Sequence, residues 1–427
     1  MAPSSKKRLT LTLAASMLNL AWASLATAAD PATARKFDFS ATSPAGTTHV
    51  APNELYSKDK AYGFEPSSAA GISATDTGVT CAHPFFFSAD LPQGNYKVTV
   101  TLGNAKTAST TTVKAELRRL MLENVDVAAG KTETRAFVVN IRTPAIAGGG
   151  NVSLKARETA QEAWGWDNRL TLEFDGNQPS VHSIAIEPVN VPTVYLLGDS
   201  TVCDQSLEPF CSWGQMLPRF FKTDVAVSNQ AESGESVASS IGSRRFAKVL
   251  GDLKAGDFVL IQYGHNDMKD KSANAAQKFT DSLVKFVADV RARKGTVVLI
   301  TPMNRNSFNG DTVTNTLADY CDAMKAAARN SQAPLIDLNA MSKVLYESAG
   351  AKGTCRIFAH NADMSEKNST NHSPYGAYEL AKCVITGLRR LDVPLAKSVV
   401  DDLPPFDPAK PDAEKDFKVP PSPNRTP

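Results

Sequence analysis

Three short stretches, met in chain order, carry residue types that together suit acyl transfer. Gly198-Asp199-Ser200-Thr201 offers a serine on a turn, and Asn229-Gln230-Ala231-Glu232-Ser233-Gly234-Glu235-Ser236 holds a glycine among small polar residues. Tyr263-Gly264-His265-Asn266-Asp267 adds a side-chain amide. Acyl transfer needs a nucleophile activated by a base, and donors placed where an oxyanion develops. Ser200 is the candidate nucleophile. The backbone N–H groups of Ser200 and Gly234 and the Asn266 amide are the candidate oxyanion donors, glycine allowing close backbone approach. His265 reads as structural and Asp267 as a brace for its own loop.

Such residues need a scaffold that brings them together. Each stretch follows a short apolar run: Val194-Tyr195-Leu196-Leu197, Val225-Ala226-Val227 and Phe258-Val259-Leu260-Ile261. Val297 to Ile300 and Leu335 to Leu338 continue the series, with Phe279, Leu283, Val287 and Val290 at helical spacing between. Unalternating apolar strands separated by amphipathic helices predict a parallel α/β sheet covered on both faces. Ligand sites in such sheets lie beyond the carboxyl ends of the strands. All three polar stretches sit there.

The preceding residues follow a different grammar. From Phe37 to about Pro188, alternation over Tyr96–Leu102, Thr134–Arg142, Val152–Ala156 and Leu170–Phe174 predicts half-buried strands of an all-β sandwich. The expected organisation is a signal peptide over 1–28, a β-sandwich and putative carbohydrate-binding domain over 37–190, an α/β domain carrying the candidate acyl-transfer residues over 192–400 and a Pro-rich tail over 401–427. The signal reading rests on Lys6, Lys7 and Arg8, the apolar stretch Leu9–Leu25 and the small-x-small Ala26-Thr27-Ala28. It implies a secreted or periplasmic protein. The tail is expected to be extended or disordered. Aromatics at Tyr62, Phe64, Phe85–Phe87, Trp164 and Trp166 suit a sandwich core, and could alternatively stack on sugars.

Near-balanced charge, 46 basic against 44 acidic residues, gives no reason to expect nucleic acid or a membrane surface as partner. No Cys/His set has zinc-site spacing, so neither a metal nor a cofactor is expected. Six cysteines in an exported chain could pair, with Cys203 and Cys211 lying closest in sequence.

Gly-Asp-Ser, a glycine within Asn-x-Ala-x-x-Gly-x-Ser, and Gly-His-Asn-Asp, in that order, resemble the SGNH/GDSL hydrolase family. Tyr195 to Val202, Ser212-Trp213-Gly214-Gln215-Met216-Leu217 and Gln262 to Asp267 are similar to its rhamnogalacturonan acetylesterase branch, over about Pro192 to Leu391. The resemblance implies a three-layer, flavodoxin-like α/β fold behind a galactose-binding-like β-sandwich. It also implies a serine esterase removing O-acetyl groups from a plant cell-wall polysaccharide of the rhamnogalacturonan or pectin type.

One family motif is altered. Members carry an Asp, two residues and then the catalytic His ahead of a C-terminal helix. That helix is expected to start at Ser373-Pro374, which puts the family's Asp and His on Asn368 and Asn371. His372 stands one position later. In one reading the loop has slipped by a residue and His372 is the base, oriented by Asp363 or Glu366. In the other the chain keeps fold and oxyanion hole without the dyad, and is a weakened esterase or a silent carbohydrate-binding protein. Arg305, after the run ending at Ile300, reads as a surface arginine that could alternatively reach a uronate.

Overall fold

The computed structural model describes residues 34–365 and 367–423. The signal-peptide reading over 1–28 therefore lies outside the described residues, as does Glu366.

Residues 35–188 form two antiparallel-dominated sheets packed face to face. One runs Glu133–Ile141, Gly94–Leu102, Ser180–Pro188, Arg35–Asp38, Thr48–His49; the other runs Tyr62–Phe64, Phe85–Asp90, Arg169–Asn177, Ser109–Ala115, Arg119–Val127. Val98, Val100, Ile184 and Ile186 of the first meet Phe85, Phe87, Leu172 and Phe174 of the second in one core. The alternation at Tyr96–Leu102 is the burial pattern observed, every second side chain inward. Phe85, Phe86 and Phe87 are all buried, as are Trp164 and Trp166. Those aromatics are core, and of the aromatics singled out only Tyr62 is partly exposed.

Val152–Ala156 is not a strand. Its backbone is held by Val152 N–H to Pro144 O (2.9 Å) and Ser153 N–H to Ser243 O (3.0 Å). The second bond reaches into the α/β half, so alternation here marks an extended crossing segment rather than a ladder.

The α/β half is built on a parallel sheet of β1 (Thr193–Gly198), β2 (Ala226–Asn229), β3 (Phe258–Gln262), β4 (Thr296–Ile300) and β5 (Leu335–Ile336), in the order β2-β1-β3-β4-β5. β1, β2 and β3 are buried throughout. Helix α1 (Ala275–Ala292) buries Phe279, Leu283, Val287 and Val290, the residues whose spacing predicts it. Helices α2 (Ala318–Ser331) and α3 (Leu338–Ile357) follow. A two-stranded antiparallel ribbon, β6 (Phe358–His360) with β7 (Lys367–His372), leads into α4 (Pro374–Arg390). The Ser373 side chain caps α4 by accepting from Gly376 N–H at 3.2 Å, with Pro374 in the first turn.

Buried charge joins the halves. Arg119 Nε donates to Asp204 at 2.7 Å, and Arg245 pairs with Glu158 at 2.6 Å, all four side chains being sealed from solvent. Breaking one partner of such a pair costs about 3–5 kcal/mol, because it strands the other charge. All six cysteines are free, so Cys203 and Cys211 do not pair. The tail is extended but not disordered over its described part. Lys114 Nζ donates to Pro420 O (2.7 Å) and Ser422 Oγ (2.8 Å), Lys382 meets Asp412 at 2.6 Å, and Val419 and Ser422 are buried. Its Pro-rich composition keeps it out of the sheets and leaves it to strap both halves from outside.

Candidate active site

Ser200 stands on the turn after β1. Gly198 is needed there because a Cβ would lie 2.8 Å from Gln262 O, the neighbouring backbone of β3. Asp199 is buried beneath the serine. Its Oδ1 accepts from Thr201 N (2.9 Å) and Oγ1 (2.7 Å), and its Oδ2 faces His265 Nδ1 at 3.3 Å. Burial alone would raise the Asp199 pKa, but His265 and the Thr201 donors outweigh it and hold the carboxyl below its ordinary value. His265 Nε2 lies 3.1 Å from Met303 O. Both ring nitrogens thus face oxygen acceptors, and neither is free to take a proton from Ser200.

Gly234 sits on the turn after β2 with φ +80°, the left-handed region that favours glycine. Asn266 follows β3; its Nδ2 donates to Glu235 O at 3.0 Å, leaving a second N–H uncommitted. Asp267 does brace the loop, accepting from Val237 N at 2.8 Å.

These residues open onto a crevice of about 630 Å³, lined by Ser200, Gly234, His265 and Asn266 together with Asn368 and Asn371. The structure therefore brings together three of the four expected site residues. The fourth, His372, is absent from the crevice wall and fully buried. Its Nε2 lies 2.9 Å from Tyr346 OH, its ring is 4.6 Å from that of Phe358, and its Nδ1 has no partner. The slipped-loop geometry is not what the chain adopts.

The reason is register. Successive strand side chains point to opposite faces, so Asn371 and His372 cannot share a direction in β7. Phe358 pairs with His372, Cys211 N–H donates to His372 O (2.9 Å), and Ser373 N–H donates to Ile357 O (3.0 Å). Those bonds pin His372 inward and leave Asn371 toward the crevice. Asn368 Oδ1 accepts from Thr370 N (2.8 Å) and Asn371 N (2.7 Å), fixing the turn that presents them. Asp363 does not orient His372: it is exposed and accepts from Ser365.

Burial, with a smaller contribution from the nearby His265 charge, pushes the His372 pKa down to about 3. The ring is then neutral in the fold, while the unfolded chain protonates below about 6.5. A depressed pKa gives stability that is complete above the unfolded value and declines as pH falls toward the folded one. Between pH 6.5 and 5 this costs about 1.5 kcal/mol. His372→Phe should remove that loss, so urea unfolding of the variant should be flatter than wild type over this interval; parallel curves would mean that the ring titrates normally.

Of the cationic rim, sequence reasoning singled out Arg305 and missed the other three residues. Arg157, Lys269, Arg305 and Lys367 line the crevice, and among the described residues no carboxylate does. Arg305 is partly a brace, its Nη1 donating to Thr370 Oγ1 (2.8 Å) and its Nη2 to His265 O (3.0 Å). Arg157 comes from the β-rich half, in a stretch that local pattern reads as ordinary surface.

The sequence pattern of the GDSL-like Lipase/Acylhydrolase family matches residues 196–353, from the end of β1 through β5, including the three stretches after β1, β2 and β3. Rhamnogalacturonan acetylesterase RhgT of Bacillus subtilis (strain 168) is 35% identical over 217 residues, covering 48% of this chain and 94% of that protein. The chain belongs to the GDSL-like lipase/acylhydrolase family. The family places it among carboxylic ester hydrolases, in agreement with a crevice that holds Ser200 together with Gly234 and Asn266. Two more relatives come from the same organism. A probable rhamnogalacturonan acetylesterase, YesY, is 29% identical over 219 residues, covering 49% of this chain and 98% of that one. An uncharacterized esterase, YxiM, is 26% identical over 373 residues, covering 83% of this chain and 90% of its own. The YxiM match is too long to fit within the GDSL half alone, so it includes part of the β-rich half.

Proposed function

We propose that the chain is an exported carbohydrate O-acetylesterase directed at an acidic polymer of the rhamnogalacturonan type, with Ser200 turning over slowly for want of an imidazole. One observation carries the reading: a crevice holding Ser200, Gly234 and Asn266 is rimmed by Arg157, Lys269, Arg305 and Lys367 and contains Asn371 where the family has its base. A uronate polymer meets that rim with opposite charge, and an acetyl carbonyl placed on Ser200 would point its oxygen at the Gly234 and Asn266 donors. The relatives named as rhamnogalacturonan acetylesterases support the substrate class.

Acetate release should be faster from acetylated rhamnogalacturonan than from neutral acetylated xylan, and KM for the acidic polymer should rise with salt as the rim is screened. Equal, salt-insensitive rates on both polymers would refute the acidic assignment. A second reading is a silent polysaccharide-binding protein, favoured by the amides at Asn368 and Asn371, neither of which accepts and returns a proton. It predicts binding of the acidic polymer with no acetate release that depends on Ser200.

A further inference from the structure

The segment that crosses from the β-rich half ends on the turn bearing Gly234. Lys155 Nζ donates to Ser233 O at 2.7 Å and pairs with Glu235 at 2.8 Å. Arg157 Nη2 donates to the same Ser233 O at 2.5 Å, and its Nε donates to Glu232 at 2.7 Å. Two cations thus converge on one carbonyl oxygen. The segment is anchored at its root as well. Lys155 N–H donates to Glu158 at 2.8 Å, and Glu158 is held by Arg245 of the α/β half.

The peptide joining Ser233 to Gly234 is planar, and in the trans form its C=O and N–H point in opposite directions. Whatever fixes Ser233 O therefore fixes the direction of Gly234 N–H. Hydrogen bonds to a carbonyl also polarise its amide and strengthen the N–H as a donor. We infer that Lys155 and Arg157 are positioning residues for the reaction: by gripping Ser233 O they aim and polarise the Gly234 N–H as an oxyanion donor. This rests on the reading of Gly234 N–H and Asn266 as the oxyanion hole. It also gives the β-rich half a part in catalysis, distinct from a separate sugar-binding module.

The test is steady-state hydrolysis of p-nitrophenyl acetate by the full chain at pH 9, with the Ser200→Ala rate subtracted. This small neutral ester makes no use of a cationic rim, so effects on polymer binding drop out. Lys155→Met/Arg157→Met should lower kcat about 10–100-fold with KM changed less than 3-fold, and Arg157→Lys should keep most of the rate. Arg157→Met leaves buried Glu232 with only its longer 3.9 Å contact to Lys155, so Arg157→Met/Glu232→Gln, which removes both charges, guards against misfolding and should show the kcat loss as well. An unchanged kcat in folded Arg157→Met/Glu232→Gln and Lys155→Met chains would overturn the inference, as would a rise confined to KM. Asn266→Ala separates the two layers of the argument. If it lowers kcat while the Lys155 and Arg157 changes do not, the oxyanion hole stands and the positioning role falls. If none of them lowers kcat, the oxyanion-hole reading falls too.

Discussion

Asn368→Asp combined with Asn371→His should raise Ser200-dependent hydrolysis of p-nitrophenyl acetate at pH 7 by about 10²–10⁴-fold, the range a positioned general base contributes. Asn371 lines the crevice with Ser200, and its backbone N–H is already held by Asn368 Oδ1 at 2.7 Å. A carboxylate at 368 keeps that acceptor and has a second oxygen with which to orient the new imidazole, the arrangement that holds the tautomer a serine needs. Asn371→His alone should give a smaller gain, since the ring would lack its orienting partner. The comparison that matters is a four-protein set of wild type, each single change and the pair, measured under one condition. A flat set would show that position 371 does not reach Ser200.

Ser200→Ala should abolish turnover in both the wild-type chain and the doubly substituted one, erasing the whole of the gain. The Ser200 hydroxyl shares the crevice with the Gly234 and Asn266 donors and stands in the Gly-Asp-Ser turn after β1, which suits it to form an acyl intermediate. Stability should hardly move. Ser200 is partly exposed and, among the described residues, its Oγ makes no hydrogen bond, so its loss falls among surface changes worth within about 0.5 kcal/mol. Rates and melting curves taken on the same preparations check this. Persistent turnover in Ser200→Ala would move the chemistry elsewhere.

Much of this site is legible in the amino-acid sequence because it depends on local pattern. Continuous apolar runs mark β1 to β4, and the polar residues just beyond them fall at the carboxyl ends of adjacent parallel strands. The α4 start is equally local, since Ser373, Pro374 and Gly376 act through neighbouring backbone. What decides the base is not local. Whether Asn371 or His372 faces the crevice depends on pairing with Phe358 and on the bond from Cys211, partners 14 and 161 residues away, counted from His372. One residue of slip would reverse the answer. Val152–Ala156 misleads for a related reason: alternation in an extended segment looks the same whether it joins a sheet or crosses between halves. Phe85–Phe87 and Ser180–Pro188 are strands that sequence pattern does not single out. In the first, both faces are buried and no alternation survives. The tail has few apolar residues, yet Val419 and Phe417 still find partners against the body, which composition alone does not reveal.

Ser200 shares its crevice with the Asn371 amide, while His372 is locked in the core. The pH–rate profile of wild-type p-nitrophenyl acetate hydrolysis, corrected for Ser200→Ala, tests this arrangement most directly. With the His372 ring pushed down to about 3 and turned to Tyr346, kcat/KM should show no inflection attributable to it between pH 5 and 8, and His372→Phe should trace the same curve. A sigmoidal rise with a midpoint near pH 6–7 that vanishes in His372→Phe would contradict the account, because it would make His372 the base.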